Sequence, residues 1–74
     1  MNIGREIRRR RTNAGMTQSD LAKAVGISQS AVVQIERGYK MPSIATLERI
    51  CEVLGATASV IMIDAVESGQ EAKA

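Results

Sequence analysis

The stretch TQSDLAKAVGISQSAVVQIER, residues 17–37, decides the fold of this chain. Its apolar spacing predicts two short helices that a glycine-bearing turn joins. Ala22 is small where the second helix must pass close to the first, and Gly26 is able to take the positive φ of a sharp turn. Val32 and Ile35, three residues apart, give the second helix one inward apolar edge. The spacing therefore predicts a helix-turn-helix.

The outward face of that second helix is expected to be polar. Glutamine forms paired hydrogen bonds with adenine, serine bonds base edges or phosphates, and valine suits a thymine methyl group. Such a face is typical of DNA recognition. The predicted surface positions of the helix are Gln29, Ser30, Val33, Gln34 and Arg37.

The segment before this motif predicts a first helix over about residues 2–13. Ile3, Ile7 and Ala14 fall on its inward stripe. Arg11 lies on the same stripe, and a charged side chain there requires a buried partner because an unpaired buried charge is costly.

A further helix is expected after the motif. The third helix ends near Gly38, Pro42 closes the loop that follows, and Ser43 caps the fourth helix, which Gly55 ends. The predicted inward stripe of the fourth helix is Ile44, Leu47, Ile50, Cys51 and Leu54.

Residues 57–66 have a different pattern, rich in β-branched side chains and without a helical stripe. This favours a strand, with a fifth helix as the alternative. A strand needs a neighbour and nothing else in the chain resembles one, so the expected partner is the same strand of a second molecule, paired about a two-fold axis. The predicted dimerisation residues are Ala58, Val60, Ile61, Met62 and Ile63.

The predicted fold class is all-α: a compact bundle of four helices, or five in the alternative, with a helix-turn-helix and a short C-terminal β-strand that pairs across a homodimer. Residues 1–56 are the expected DNA-binding domain, 57–66 the dimerisation strand, and 67–74 a small, polar, disordered tail. A chain of 74 residues has a thin core and gains stability from association.

Composition argues against catalysis and against a metal or cofactor. With one Cys and no His, neither a disulfide within the chain nor a Cys/His metal site is expected, and no general base accompanies the hydroxyl and thiol groups. No apolar run approaches the ~20 residues of a membrane span, and the N-terminus lacks a signal peptide. We therefore expect a cytoplasmic protein without a membrane partner, associated with the nucleoid when bound to DNA.

The charge is unevenly distributed along the chain. Through residue 49, nine Lys or Arg stand against four Asp or Glu, which gives +5, whereas from residue 50 onward one Lys against four acidic residues gives −3. A basic first part with an acidic end suggests a polyanion-binding face on the first part, although an ordinary solvated surface explains the charge alone equally well.

Two segments, TQSDLAKAVGISQSAVVQIERG and PSIATLERICEVLGA, resemble the phage Cro and repressor helix-turn-helix family, the XRE-like regulators. The resemblance covers about residues 3–56 and includes the T-Q-x-x-L-A start, the G-I-S-Q-S turn and the I-E-R-G ending. It implies dimers that bind two half-sites one helical turn apart, with helix three in the major groove. The segment after residue 56 departs from members with a fifth helix and looks more like HipB-type antitoxins, whose C-terminal strands pair across the dimer.

The resemblance implies roles for individual residues. In the family, the glutamine matched by Gln18 contacts a phosphate and often braces the one matched by Gln29. Many members bury an Arg–Glu pair that Arg11 and Glu36 match, which would explain the inward Arg11. Base reading falls to Ser28, Gln29, Ser30, Val33 and Gln34. Contacts with the DNA backbone fall to Thr17, Gln18, Arg37, Tyr39 and Lys40, with Arg10 as a further candidate from the basic cluster of residues 8–11.

The leading hypothesis is a homodimeric, sequence-specific regulator of transcription that binds double-stranded DNA, most simply a repressor that occludes a promoter. One alternative is an antitoxin, in which the same fold also neutralises a toxin protein. Another is a controller protein of a restriction–modification system. A module that kept the fold but lost DNA binding is disfavoured by the intact polar face of helix three.

Overall fold

A computed structural model describes residues 3–56, which form four helices and no strand. The helices are α1 (Ile3–Asn13), α2 (Gln18–Val25), α3 (Gln29–Glu36) and α4 (Ile44–Leu54). None of these four helices is long and apolar enough to cross a membrane. The all-α bundle predicted from the sequence is thereby confirmed.

The predicted dimerisation strand and the predicted tail lie outside the described residues. The strand at 57–66, with a fifth helix as its alternative, therefore stays a prediction. The role of five of its residues in dimerisation stays a prediction too. Those residues are Ala58, Val60, Ile61, Met62 and Ile63.

Hydroxyl caps begin three of the helices, and the cap at Ser43 confirms the one expected from the sequence. The side chain of Ser28 accepts a hydrogen bond from the backbone N–H of Ala31 at 3.0 Å, and Ser43 accepts one from Thr46 at 3.1 Å. At α2 the cap is reciprocal: the Thr17 hydroxyl accepts from the Asp20 N–H, and the Asp20 carboxylate accepts from the Thr17 N–H, both at 3.0 Å. Each cap satisfies N–H groups that lack partners within the helix, so the helix starts are locally specified.

Each helix contributes one fully buried aliphatic side chain to a shared core. These four side chains are Ile7 of α1, Leu21 of α2, Val32 of α3 and Ile50 of α4. A core built this way makes the α2–α3 pair dependent on both flanking helices. The orientation of the helix-turn-helix is therefore fixed by α1 and α4 as well as by its own turn.

Two residues that we assigned to inward stripes are exposed. Ala14 lies just beyond the end of α1, where the chain leaves the helix for the turn at Gly15, so it does not continue the stripe of Ile3 and Ile7. Ile44 is the first residue of α4 and is 79% exposed, because the buried part of that helix begins one turn later at Leu47. Leu54, at the other end of α4, is only half-buried.

A glycine in α1 permits the closest approach between two helices. A Cβ atom on Gly4 would overlap the carbonyl oxygen of Ile35 and lie 2.8 Å from that of Glu36. The backbone of α1 therefore rests directly on the C-terminal end of α3. Any larger residue at this position requires α1 or α3 to move.

Candidate nucleic-acid interface

The turn between α2 and α3 has the geometry that its glycine predicts. Gly26 takes the left-handed conformation, with φ 85° and ψ 31°, and its N–H donates to the carbonyl of Ala22 at 2.8 Å. Ser28 follows in an extended conformation and begins α3. A residue with a side chain is strained at that positive φ, so the glycine allows α2 to end and α3 to begin with only three residues between them.

The residues predicted to read bases lie together on the surface at and along α3. Residues three and four apart share a face of a helix, so Ser30, Val33, Gln34 and Arg37 form one stripe, with Gln29 beside Val33. Val33 is half-buried, and the others are exposed. The side chains of Gln29, Ser30 and Gln34 form no hydrogen bond with any residue of the described range 3–56, so their donors and acceptors remain available to a ligand. Ser28 is exposed too, but its hydroxyl is engaged as the cap of α3.

A buried ion pair lies behind this face, between Arg11 of α1 and Glu36 at the end of α3. Arg11 Nε donates to Glu36 Oε2 at 2.6 Å, and its Nη2 donates to Oε1 at 3.1 Å, which makes the contact bidentate. The third nitrogen of the guanidinium donates to the Met16 carbonyl at 2.8 Å. The structure thus contains the Arg–Glu pair that the family resemblance implies, and it fastens α1 to both the α1–α2 turn and α3.

Gln18 joins the same network, which differs from the expected role. Its Nε2 donates to Glu36 Oε1 at 3.1 Å, whereas the resemblance implies a brace on Gln29. The carboxylate of Glu36 is nearly inaccessible and accepts from two helices at once, so it attracts the amide of Gln18 inward. The sequence signal for this contact is weak because the two residues are 18 positions apart.

Arg10 lies beside Glu6 on α1, and its role as a contact with the DNA backbone stays a prediction. Its Nε donates to Glu6 at 3.0 Å, and Arg9 also bonds this carboxylate through its Nε at 3.2 Å and through its Nη2. Glu6 is 3% exposed, and sequence reasoning missed it as a buried group. The sequence did contain a signal for these ion pairs, because Arg9 and Arg10 follow Glu6 by three and four residues, the spacing at which side chains meet on a helix. On α1, Arg10 is rotated by about 200° from Arg8, which does face the α2–α3 side.

The loop after α3 places three predicted backbone contacts on the surface. Arg37 and Lys40 are exposed, and Tyr39 is 77% exposed. The N–H groups of Tyr39 and Lys40 both donate to the Gln34 carbonyl, at 2.9 and 3.2 Å, so the loop is tied to the last turn of α3. The structure therefore brings this loop to the C-terminal end of the base-reading face. Thr17 lies at the start of α2, exposed but engaged in its cap.

Two groups in the bundle have displaced pKa values. Hydrogen bonds from Thr17 lower the pKa of the Asp20 carboxyl below its ordinary 3.8, because they favour the charged form at the start of α2. Burial raises the pKa of the Cys51 thiol above its ordinary 9.0, because the thiolate would lose its hydration. Cys51 is therefore a neutral core thiol at neutral pH.

Arg49, whose role the sequence did not reveal, supports the turn from α4. Its Nη1 lies 3.5 Å from the carbonyl oxygen of Val25, at the last residue of α2. A cation at the C-terminal end of a helix interacts favourably with the helix dipole. The turn that orients α3 is thus contacted from α4 as well as closed by Gly26.

A family model described as helix-turn-helix matches residues 7–61, well over half of the chain. The chain belongs to the helix-turn-helix family. An uncharacterised helix-turn-helix-type transcriptional regulator of Bacillus subtilis, YazB, is 46% identical over 55 residues, which are 74% of this chain and 80% of that protein. The family that the sequence motifs suggest is thereby confirmed.

Solved structures of regulators share the fold. The crystal structure of the clp gene regulator ClgR from Corynebacterium glutamicum is 32% identical, with a TM-score of 0.90, over 97% of this chain and 79% of that one. The P22 c2 repressor protein, crystallised in complex with a synthetic operator, is 30% identical, with a TM-score of 0.78, over 82% of this chain and 92% of that one. The helix-turn-helix family includes proteins named as regulators and as repressors.

Proposed function

We propose that this protein is a homodimeric transcriptional repressor that binds a palindromic operator by placing α3 in the major groove. Membership of the helix-turn-helix family supports a DNA-binding regulator. The likeness to a repressor crystallised with its operator supports repression as the mode of action. The protein would then act by occupying DNA, most simply a promoter, and would itself perform no catalysis.

The observation that carries the proposal is the outward face of α3. The side chains of Gln29, Ser30 and Gln34 are exposed and form no hydrogen bond with residues 3–56. They stand on a helix whose opposite edge is anchored in the core by Val32 and Ile35. Because one edge of α3 is packed in the core, the orientation of its opposite, outward face is also determined. A rigid helix that presents unsatisfied amide and hydroxyl groups fits the major groove, where each base pair offers a distinct pattern of donors and acceptors.

The expectation of a dimer rests on the length of DNA that one copy reaches. A single α3 covers one half-site, and two-fold related copies read half-sites roughly 34–36 Å apart. The residues expected to pair the copies are those of the predicted strand at 57–66. Light scattering at micromolar concentration would give twice the chain mass for a dimer, and a monomer would contradict both the dimer and the strand.

The direct test of α3 is a comparison of specific and non-specific binding by three proteins. The wild type, Gln29→Ala and a control variant, Glu52→Gln, are titrated against a selected duplex and against a duplex of random sequence. Glu52 is exposed on α4, away from the proposed base-reading face, so its variant should retain the wild-type preference. Gln29→Ala should lose affinity for the selected duplex alone. Equal losses on both duplexes would contradict base reading by α3.

A further inference from the structure

The large apolar side chains that are exposed in the described range 3–56 are close together in the sequence. They are Tyr39, Met41 and Ile44, which are 77%, 67% and 79% exposed. Tyr39 and Met41 belong to the loop after α3, and Ile44 is the first residue of α4. Single apolar side chains scattered over a surface are ordinary, whereas a group of them marks a surface that binds another apolar group.

A hollow of about 130 Å³ opens beside Met41. Its walls are the start of α1, the end of α3 and the loop that leads to α4, and its main lining residues are Ile3, Gly4, Ile35, Lys40, Met41 and Pro42. An apolar cavity of about 150 Å³ holds one benzene molecule, so this hollow has room for one aliphatic side chain. The hollow and the exposed side chains of Met41 and Ile44 thus form one unpartnered apolar surface at the start of α4.

The charged residue that lines this hollow is basic. Lys40 is exposed, and its ammonium group forms no ion pair with residues 3–56. A segment that covers the hollow should therefore combine an aliphatic side chain with a neighbouring carboxylate, because the aliphatic group fills the hollow and the carboxylate pairs with the ammonium.

The chain itself carries a segment of this composition after Ala56. Residues 60–63 are four consecutive apolar residues, and Asp64 follows them directly. In residues 57–74, one Lys against three Asp or Glu gives a net charge of −2, whereas nine Lys or Arg against five Asp or Glu give +4 in residues 1–56. The segment is thus complementary to the surface at the start of α4 in apolar character and in charge.

The length of the segment matches the distance to the hollow. The hollow lies at the start of α4, beside Pro42, and the chain leaves the other end of α4 at Gly55, where φ is 70°. With 11 residues, α4 is about 16 Å long, and about five residues of extended chain cover the same distance. If residues 57 and 58 reverse the direction of the chain, residues 59–63 span α4 and bring Ile63 to the hollow.

We propose that the segment after α4 folds back along this helix in the same chain and covers the hollow with Ile63, which places Asp64 beside Lys40. The inference rests on the extended form of the segment that the proposed dimer uses, and it adds a second role for that segment. A strand pairs through its edges and packs through a face, so both roles are compatible. A two-stranded ribbon is only marginally stable in water, and packing on the helices would support it.

The docked segment would connect the dimer interface to the proposed DNA interface. The loop beside the hollow carries Tyr39 and Lys40, which are predicted contacts with the DNA backbone. A strand that pairs with a second copy through its edge and rests on this loop through its face would hold the loops of the two copies at a fixed separation. The separation of the two α3 helices would then depend on the same contact.

The test is the formation of a disulfide between the hollow and the segment in the full chain. Met41→Cys and Ile63→Cys are combined with Cys51→Ala, so that the new pair supplies the only thiols. Oxidised glutathione should join the pair within one chain, which a non-reducing gel and mass spectrometry detect at the mass of a single chain. In the control pair, Lys23→Cys replaces Met41→Cys at an exposed position of α2 that does not line the hollow.

The pair at the hollow should form its disulfide at least about tenfold faster than the control pair, because docking raises the local concentration of one thiol near the other. Equal rates for the two pairs would overturn the docking. A disulfide that joins two chains would overturn it as well, because the segment of a second copy would then cover the hollow.

A second measurement uses thermal unfolding without new thiols. Ile63→Ala should lower the melting temperature by about 4–8 °C in the wild type, and by much less in Met41→Ala, because the contact has already been reduced there. In Val33→Ala, which changes a half-buried residue of α3 that does not line the hollow, the shift should equal that in the wild type. Equal shifts in the wild type and in Met41→Ala would overturn the contact between Ile63 and the hollow.

The docking and the proposed function fail in different ways. If the wild type is a dimer that prefers a selected duplex, but the pair at the hollow reacts no faster than the control pair, the docking is wrong and the proposed function stands. If the disulfide forms rapidly within one chain, but the wild type neither dimerises nor binds DNA, the proposed function is wrong and the docking stands.

Discussion

Gln18 of α2 and Glu36 of α3 are joined by a hydrogen bond of 3.1 Å from the amide nitrogen to the carboxylate. This contact connects the start of one helix of the helix-turn-helix to the end of the other. Arg11 binds the same carboxylate from α1, so three helices meet at one buried charge. The position of α2 relative to α3 therefore depends on a polar network as well as on the apolar core.

Removal of Arg11 should destabilise the fold. Arg11→Leu leaves the Glu36 carboxylate buried with Gln18 as its remaining partner and deprives the Met16 carbonyl of its donor. We expect the free energy of unfolding to fall by about 3–5 kcal/mol, as for other buried pairs that lose one member. Urea unfolding followed by circular dichroism measures this. An unchanged midpoint would contradict the energetic role of the pair.

The double variant separates the cost of an orphaned charge from the value of the pair. Arg11→Leu combined with Glu36→Leu removes both charges and should recover much of the stability lost in Arg11→Leu, because no buried carboxylate remains. If the loss of unfolding free energy in the double variant equals the sum of the losses in Arg11→Leu and Glu36→Leu, the two residues are not energetically coupled.

Replacement of Gly4 by alanine should destabilise the protein, against the usual trend for helices. Alanine is favoured over glycine in a helix interior by about 1 kcal/mol. At this position the added Cβ would overlap the Ile35 carbonyl oxygen, and α1 would have to move away from α3. We expect a net loss on the order of 1–3 kcal/mol, typical of overpacking. A Gly4→Ala protein with a raised melting temperature would show that α1 and α3 do not pack this closely.

The two glutamines on α3 should determine sequence preference. Gln29→Ala and Gln34→Ala each remove the group able to form paired hydrogen bonds with adenine, and each should reduce specific affinity by about 1–3 kcal/mol. Non-specific binding should be nearly unchanged, because phosphate contacts supply it. Fluorescence anisotropy with selected and random duplexes distinguishes the two effects. A variant that keeps the full preference would exclude that glutamine from base reading.

The cap of α2 should give the protein an acid-dependent loss of stability. The folded-state pKa of Asp20 lies below its ordinary 3.8, so the stabilisation by its charged form is present above that pH. It is lost as the pH falls below 3.8 and through the lowered value. Asp20→Asn should therefore be less stable than the wild type at neutral pH, and the difference should shrink as the pH falls below 3.8. A difference that is constant with pH would show that the charge of Asp20 contributes nothing.

Features that depend on neighbouring residues were predictable from the sequence. Ser28 and Ser43 cap their helices, and Gly26 takes a positive φ, because each role is decided by residues within a few positions. The outward face of α3 was predictable for the same reason, since the inward positions of Val32 and Ile35 determine it. The spacing of apolar residues within this one helix was sufficient to predict which of its side chains face outward.

Features that depend on how helices pack were not predictable from spacing. A glycine inside a helix is unfavourable by itself. The need for Gly4 arises from the carbonyl groups of α3, more than 30 positions away. The partner of Arg11 came from a family resemblance, because nothing local indicates a residue 25 positions on. Arg8 and Arg10 were indistinguishable within a run of four arginines until the structure placed Arg10 against Glu6 and Arg8 on the α2–α3 side of α1.

The most direct test of the central claim is selection of binding sites from a random duplex library with the purified protein, at two salt concentrations. A homodimer that reads DNA through α3 should enrich a palindrome whose half-sites are centred about one helical turn apart, and the higher salt should sharpen the enrichment. Weak, salt-sensitive binding without a consensus would contradict a sequence-specific repressor. It would favour a protein partner, such as the toxin of an antitoxin pair, to be sought by pull-down.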